Sequence, residues 1–353
     1  MARLDTLAAH MNARVRGMKS ELFTHQQLDA LLDAGDVDQM VQTLLDSPYK
    51  SEMAEAMAER TGADAIELGV SRNLVETYRR LMRSAQGHLR APVQIFLTRW
   101  DLIGVKALLR NRHHGLDAES GQESLVPGPT LTIGLMNDFA NRPTMEDLIS
   151  ALVSWNPGLC GVLATHAESY HGDGAVQVLE DALDYNYFVK NVRKYRSAKS
   201  PNERLLNRVL KLEIDRINLR MLLQHGQSAT TENFDRERLL PSGYLNASVL
   251  ESMAAARDTA DAMEHLGGTR YAELVERLAA FVQSNRYAPI DRMMELMMLQ
   301  YLGRMSREHI MTVAILMHFA WLKYNEIINL RMIARGEARH LPRGRVREEV
   351  MYA

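Results

Sequence analysis

Histidine, cysteine and serine are the side chains of this sequence that could carry metal or nucleophilic chemistry. His166 and His171 flank Glu168 in the segment His-Ala-Glu-Ser-Tyr-His. Two ligands on one helix face stand three or four residues apart, and these histidines do not, so the segment does not fit a helical zinc motif. Cys160 lies in an apolar stretch, which favours a packed thiol over a nucleophile. We therefore expect no catalytic residue, metal or cofactor.

A charged motif occurs three times along the chain. The copies are Asp101-Leu-Ile-Gly104-Val-Lys106, Asp215-Arg-Ile-Asn218-Leu-Arg220 and Glu326-Ile-Ile-Asn329-Leu-Arg331, the last continuing to Arg335, and a weaker copy runs from Asn12 to Lys19. A loop with leucine, proline and glycine follows each of the three, at Leu125–Gly128, Leu239–Gly243 and Leu341–Gly344. The period is roughly a hundred residues, much longer than in ordinary solenoids.

The spacing inside the motif separates its acid from its base. The acid lies three residues before the asparagine and shares its helix face, whereas the base lies about 140° further round the helix. Each charge therefore needs a partner in a neighbouring helix or module. Two interpretations stay open: these residues tie helices together, or they bind a partner protein. They are Asp101, Lys106, Asp215, Asn218, Arg220, Glu326, Asn329, Arg331 and Arg335.

The pattern of apolar residues, prolines and glycines predicts a nearly all-helical chain. The segment 200–226 opens with Ser200-Pro201 and Glu203, typical of a helix start, and Gly226 fits its end. A second long helix is predicted from about Ser306 to Gly336, and its apolar middle indicates burial. Leu131 to Leu135 alternates only briefly, and no glycine-rich loop follows a strand, which argues against a nucleotide-binding α/β fold.

Composition excludes several classes of protein. The chain has 353 residues, of which 46% are hydrophobic, and a net charge of −2, so it is neither disordered nor a general nucleic-acid binder. The apolar stretch Ile310–Leu322 is too short to span a bilayer, and the charged N-terminus lacks the apolar core of a signal peptide. With one cysteine, we expect a reducing compartment and at most peripheral contact with a membrane.

Two basic clusters and a methionine-rich segment have two interpretations each. The first cluster is Arg79, Arg80, Arg83 and Arg90, and the second, interleaved with tyrosines, is Lys190, Arg193, Lys194, Arg196 and Lys199. Both are solvated helix faces or contacts for acidic partners and anionic lipid heads. The segment from Arg292 to Tyr301 is either core or an adaptable contact surface.

The C-terminal stretch from Tyr324 to Ala353 resembles the end of the C subunit of V/A-type rotary ATPases, whose relative in eukaryotic vacuolar ATPases is the d subunit. The resemblance extends to Asn12–Leu22, to Asp215–Gly226 and to Leu239–Leu245, and it covers the whole chain. Two places depart from the pattern: Gly104 replaces the motif asparagine, and the loop at His113–Gly115 matches weakly.

The resemblance implies a funnel-shaped, all-α protein of three similar modules in a pseudo-threefold arrangement. We expect the modules at residues 1–115, 116–226 and 227–353, with the two termini packed together. The implied role is that of a non-catalytic central-rotor subunit on the cytoplasmic side of the membrane. Such a protein is a socket that joins the central stalk to the proteolipid ring and transmits torque for ATP-coupled ion transport. It touches the membrane only through the ring and binds no nucleic acid. The alternative is a helical adaptor unrelated to ATPases.

Overall fold

The computed structural model describes residues 5–119, 121, 124–167, 170, 176–225, 234–273, 275–276 and 288–352, with backbone only at 288–292. These residues form helices and connecting turns without a strand, which confirms the all-α prediction. The helices are α1 (Thr6–Lys19), α2 (His25–Ala34), α3 (Val37–Leu45), α4 (Lys50–Met57), α5 (Gly62–Ser84), α6 (Arg90–His113), α7 (Ile133–Ala140), α8 (Met145–Trp155), α9 (Pro157–His166), α10 (Gln177–Asp184), α11 (Lys190–Lys194), α12 (Pro201–His225), α13 (Ala247–Ala254), α14 (Thr259–Glu264), α15 (Ala288–Glu308), α16 (Ala314–Ala338) and α17 (Arg343–Glu349). A π-helical turn, Tyr185–Val189, joins α10 to α11.

The chain forms two compact units. Unit 1 comprises Met1–Leu148 and Leu302–Ala353, and unit 2 comprises Ile149–Tyr301. The division into three modules stays a prediction.

Helix α16 is the centre of unit 1. Its first eight residues, Ala314 to Trp321, are all buried, as its apolar sequence predicts. The indole of Trp321 lies 6.1 Å from that of Trp100 on α6, and the Arg99 guanidinium stacks 4.1 Å above the Trp321 ring. Offset aromatic rings and a stacked guanidinium pack densely, so this cluster holds α6 and α16 together.

The predicted helix from Ser306 to Gly336 is wrong at its start. Helix α15 ends at Glu308, α16 begins at Ala314, and the residues between them form turns. Thr312 Oγ1 donates to the carbonyl of His309 and accepts from the amide of Ala314. A threonine side chain that satisfies the backbone in this way competes with a continuous helix.

Unit 2 contains the other long helix predicted from sequence. Helix α12 spans Pro201–His225, which confirms the prediction for 200–226 except at Gly226, outside the described residues. Leu206, Val209, Leu210 and Leu222 are buried, as expected for its apolar face. In the methionine-rich segment the buried side chains include Met294 and Met298, which favours the core interpretation there.

None of the described helices combines the length and the apolar character needed to cross a membrane.

Candidate functional site

The three copies of the motif lie on the three longest of the described helices, α6, α12 and α16. In each copy the acid is buried and receives hydrogen bonds from a loop. We call these three carboxylates, Asp101, Asp215 and Glu326, the anchor acids.

Asp101 binds the loop that follows α6. Its Oδ1 accepts the backbone N–H of Thr130 at 3.0 Å and of Leu131 at 2.7 Å, and its Oδ2 accepts the Thr130 hydroxyl at 2.8 Å. Asp101 is fully buried, and burial raises the pKa of its carboxyl to about 6 although these hydrogen bonds oppose the rise.

Asp215 makes the equivalent contacts in unit 2. It accepts the N–H of Tyr244 at 2.9 Å and of Leu245 at 3.1 Å, which lie 29 and 30 residues further along the chain. Thr130 and Leu131 stand at the same two separations from Asp101. The Tyr271 hydroxyl donates to Asp215 Oδ2 at 2.6 Å, and burial raises the pKa of this carboxyl too.

Glu326 takes its loop from the other end of the chain. Its Oε2 accepts the N–H of Phe23 at 2.5 Å, and its Oε1 accepts the hydroxyl of Tyr49 and the Lys323 ammonium. Lys323 is buried, and that burial lowers its pKa. The segment that binds the last anchor acid therefore lies just after the weak N-terminal copy of the motif.

All three anchor acids bind at the start of a short helix. Phe23, Leu131 and Leu245 each come one residue before a helix N-cap, at Thr24, Thr132 and Asn246 respectively. The N-terminal end of a helix carries unsatisfied N–H groups and a partial positive charge, so a carboxylate is favoured there. The anchor acids therefore fix where the short helices begin.

The motif asparagines bind a second stretch of backbone. Asn218 donates to the carbonyl of Leu240 and accepts its N–H, both at 2.8 Å. Asn329 makes the same pair with Met351, at 2.8 and 3.0 Å, and the separation along the chain is 22 residues in both cases. The residue equivalent to Leu240 is thus Met351, and not the Leu341-Pro342 segment to which the residue types point.

Gly104 replaces the asparagine in the first copy for a steric reason. A Cβ at this position would stand 2.8 Å from Leu131 Cδ2 and 3.5 Å from the carbonyl oxygen of Val126, which lies at the same separation as Leu240 does from Asn218. The leucine side chain therefore fills the space that an asparagine would need.

The motif bases have different environments. Arg331 is buried, and its guanidinium donates to the carbonyl of Leu125 at 2.8 Å and to Glu67 at 3.3 Å. Arg335 also binds Glu67, through two nitrogens. Arg220 is exposed and Lys106 half-buried. The Arg331 guanidinium thus binds a carboxylate on the neighbouring helix α5, as the helical spacing predicts.

A cavity of about 890 Å³ in unit 1 borders Arg331 and Glu67. Its remaining charged lining is made by Glu52, Glu55, Glu59, Glu76, Glu119, Arg60, Arg72 and Arg79. Sites for small organic ligands are mostly apolar with a few polar groups, so this charged cleft does not have that character.

The remaining candidates from the sequence are the two basic clusters, the histidine segment and Cys160. Glu76 lies within ion-pair distance of Arg79, Arg80 and Arg83, so one carboxylate partly neutralises the first basic cluster. In the second cluster Arg193 stacks on Tyr185. Among the described residues no group of three histidine, cysteine or carboxylate side chains could hold a metal, and Glu168 and His171 lie outside them. Cys160 is buried.

Sequence reasoning missed the partners of the anchor acids, in particular Phe23, Tyr49 and Tyr271, and it missed Glu67, the partner of Arg331. A signal for two of them exists. Tyr49 and Tyr271 follow Ser-Pro and Thr-Arg in similar turns, and both donate a hydroxyl to an anchor acid. An alignment of the three repeats on their N-cap residues would have found them.

Gly128 touches the first anchor acid, and its replacement tests that contact. A Cβ there would stand 2.2 Å from Asp101 Oδ1 and 2.7 Å from its backbone nitrogen. We expect Gly128→Ala to lower the free energy of unfolding by about 2–4 kcal/mol, measured with urea. Gly134→Ala is the control: it lies in α7 with no neighbour within 4 Å, so it should stabilise by up to about 1 kcal/mol. Equal effects of the two would contradict the close contact.

The raised pKa of Asp101 predicts a pH-dependent effect of Asp101→Asn. The native state binds this proton more tightly than the unfolded chain, whose Asp pKa is about 3.9, so the stabilisation by the protonated form is lost as the pH rises through about 6. An amide accepts the same N–H groups without ionising. Relative to wild type, Asp101→Asn should therefore gain stability between pH 4 and pH 7, by on the order of 2 kcal/mol.

The control for that measurement is Asp101→Ala, which leaves two buried N–H groups without an acceptor. Because neither replacement ionises, Asp101→Ala should be less stable than Asp101→Asn by about 2–4 kcal/mol at both pH values. A difference between Asp101→Asn and wild type that does not change with pH would refute a raised pKa.

Arg331→Ala tests the buried base. It leaves the carbonyl of Leu125 without its donor, whereas Glu67 keeps Arg335, so we expect a loss of about 2–4 kcal/mol in the free energy of unfolding. Arg220→Ala, at the equivalent exposed position, should change stability by less than about 0.5 kcal/mol. If the two substitutions cost the same, burial of the base in the third copy is unimportant.

Comparisons with known proteins agree with the family resemblance of the sequence. The family described as ATP synthase (C/AC39) subunit matches residues 11–349. The C subunit of the V-type ATP synthase of Deinococcus radiodurans is 27% identical over 346 residues, covering 97% of this chain and 90% of the relative. The C subunit of the A-type ATP synthase of Methanosarcina acetivorans is 25% identical, covering 97% and 92%. These matches contradict the alternative interpretation, a helical adaptor unrelated to ATPases. The chain belongs to the ATP synthase (C/AC39) subunit family.

Proposed function

We propose that this chain is a non-catalytic central-rotor subunit of a V/A-type rotary ATPase. It acts as a socket between the central stalk and the proteolipid ring and transmits the torque that couples ATP turnover to ion transport. The family match over residues 11–349 carries this proposal. The names of the relatives, which are C subunits of V-type and A-type ATP synthases, support membership of such a complex.

The contacts of the anchor acids support the three modules expected from sequence. With the boundaries expected from sequence, Asp101 of the first module binds a loop of the second, and Asp215 of the second binds a loop of the third. Glu326 of the third binds Phe23 of the first.

A socket that transmits torque has to resist deformation, and the anchors supply resistance. Each long helix is tied to a distant loop by charge-assisted hydrogen bonds inside the protein, where such bonds are stronger than in water. We assign this structural role to the motif residues. The exposed surfaces then bind the partner proteins. Packed helical cores of low compressibility add to the stiffness.

Partners and location follow from the same proposal. The partners are the central-stalk subunits and the proteolipid ring, and the chain lies on the cytoplasmic side, touching the membrane only through the ring. The charged character of the cleft in unit 1 fits contact with another protein better than binding of a small substrate.

The test is a pull-down of the tagged chain from gently solubilised membranes of its host, with bound proteins identified by mass spectrometry. We expect a proteolipid together with central-stalk subunits. Membranes depleted of the chain should hydrolyse ATP without pumping ions, and adding the purified chain back should restore the ratio of ions pumped to ATP hydrolysed.

A chain that carries Arg331→Ala provides the internal comparison, with Arg220→Ala as its control. A softened socket should restore pumping less well per ATP hydrolysed. Recovery of neither partner class from the membranes, or full coupling without the chain, would overturn the proposal.

A further inference from the structure

The cavity of about 890 Å³ in unit 1 is a cleft whose walls are mainly helical. Residues of α5 from Glu67 to Arg79 line one side of it, and residues of α4 and α7 line the others. At a rise of about 1.5 Å per residue, this part of α5 extends about 18 Å, or roughly three helical turns. We call the space bounded by α4, α5 and α7 the α5 cleft.

The helical walls decide which form of chain fits the α5 cleft. Inside a helix the backbone N–H and C=O groups bond to each other, so α5 offers no row of backbone partners to an extended segment. A helix satisfies its own backbone and needs only side-chain contacts from its surroundings. A helix is therefore the form of chain that can enter the cleft without losing hydrogen bonds.

Apolar side chains supply contact surface inside the cleft. Val75, Leu125 and Met136 are buried among its lining residues, and Leu68 and Ile133 are half-buried on its two long sides. A helix that binds in a groove places an apolar face against such residues, and its anchors recur at three- and four-residue intervals. The lining therefore suits one apolar face of a helix, flanked by polar side chains.

The charged side chains of the cleft do not balance one another. Six carboxylates and four guanidiniums line it. Three of the guanidiniums have a carboxylate partner within the lining, in the pairs Arg72–Glu59, Arg79–Glu76 and Arg331–Glu67. In the described part of the chain the other charged lining residues form no ion pair, and they are Glu52, Glu55, Glu119 and Arg60. An excess of negative charge therefore remains in the cleft.

We propose that the α5 cleft binds an amphipathic, basic helix of a partner protein. The apolar face of that helix contacts Leu68 and Ile133. Lysine or arginine side chains on its flank pair with Glu52 and Glu55, which lie three residues apart on one face of α4. The cavity provides the room, and its excess of carboxylates favours a basic occupant over an acidic one. The inference rests on the proposed function only for the complex that supplies the helix.

The first test uses the purified full chain and a synthetic helical peptide with a leucine face flanked by lysines, followed by fluorescence anisotropy. We expect saturable binding, and at least about tenfold weaker binding of a peptide in which glutamates replace the lysines. Glu55→Lys should weaken binding of the lysine peptide about tenfold, because it puts a like charge on the α4 wall. Glu251→Lys is the matched control: it makes the same change of charge at an exposed position of α13 and should leave the affinity unchanged.

A second variant blocks the cleft by volume. Gly134 lines the cleft on α7, and no atom lies within 4 Å of a Cβ built there, so Gly134→Trp adds a ring to the cleft without a clash at its Cβ. It should weaken binding of the lysine peptide about tenfold. Gly17→Trp, at an equally open glycine of α1, should not. Equal binding of both peptides by wild type, or undiminished binding by Glu55→Lys and Gly134→Trp, would overturn the proposal.

A photo-cross-link identifies the helix inside the complex. Benzoylphenylalanine replaces Asn137, an exposed lining residue on α7, in the tagged chain, which is assembled with host membranes and irradiated. We expect mass spectrometry to identify a cross-linked segment with lysines or arginines three or four residues apart.

The outcomes separate this inference from the proposed function. A cross-link to an acidic segment, or none although the pull-down recovers stalk and ring subunits, contradicts the inference and leaves the proposed function standing. Peptide binding with the expected response of the variants, but no recovery of either partner class from membranes, contradicts the proposed function and leaves the cleft as a binding site for a basic helix.

Discussion

The buried carboxylate that accepts backbone N–H groups from a distant loop is the interaction on which this structure depends. Three copies of one motif place such an acid on the three longest of the described helices. Each acid holds the residue before a helix N-cap, where unsatisfied N–H groups and the helix dipole both favour negative charge. The connection between a long helix and the short helix it positions is therefore electrostatic and directional, in addition to being apolar.

A burial of this kind is costly, and the neighbouring residues show how the cost is limited. Asp101 loses water completely, and two N–H groups and a hydroxyl replace it. The rise in its pKa means that this replacement is incomplete. Gly128 and Gly243 have no side chain because the loop comes within van der Waals contact of the acid. A change to the acid, the loop backbone or the glycine therefore disturbs the contacts of the other two.

The same logic explains why the third copy is the most elaborate. Its acid binds a segment from the opposite end of the chain, and closing so long a loop costs more conformational entropy than closing the loops of the other two copies. The hydroxyl of Tyr49 and the ammonium of Lys323 add contacts, and Arg331 ties the same helix to the loop at Leu125. For a subunit proposed to pass torque between two partners, a closed set of such ties has a mechanical purpose.

The sequence by itself determined the helical class, the position of α12, the burial of α16 and the recurrence of the motif, because these follow from local periodicity and from residue types that recur. It also determined the family, since the motif and its loops are specific. It did not determine the break before α16, because Asn12 and Thr312 satisfy that backbone through contacts that no periodicity records. Nor did it determine which backbone each acid and each asparagine of the motif binds. The true equivalent of Leu240 is Met351, although Leu341-Pro342 has the matching residue types. Tertiary structure alone decided these points, because a hydrogen bond to the backbone depends on where the chain passes and is indifferent to the side chain it carries.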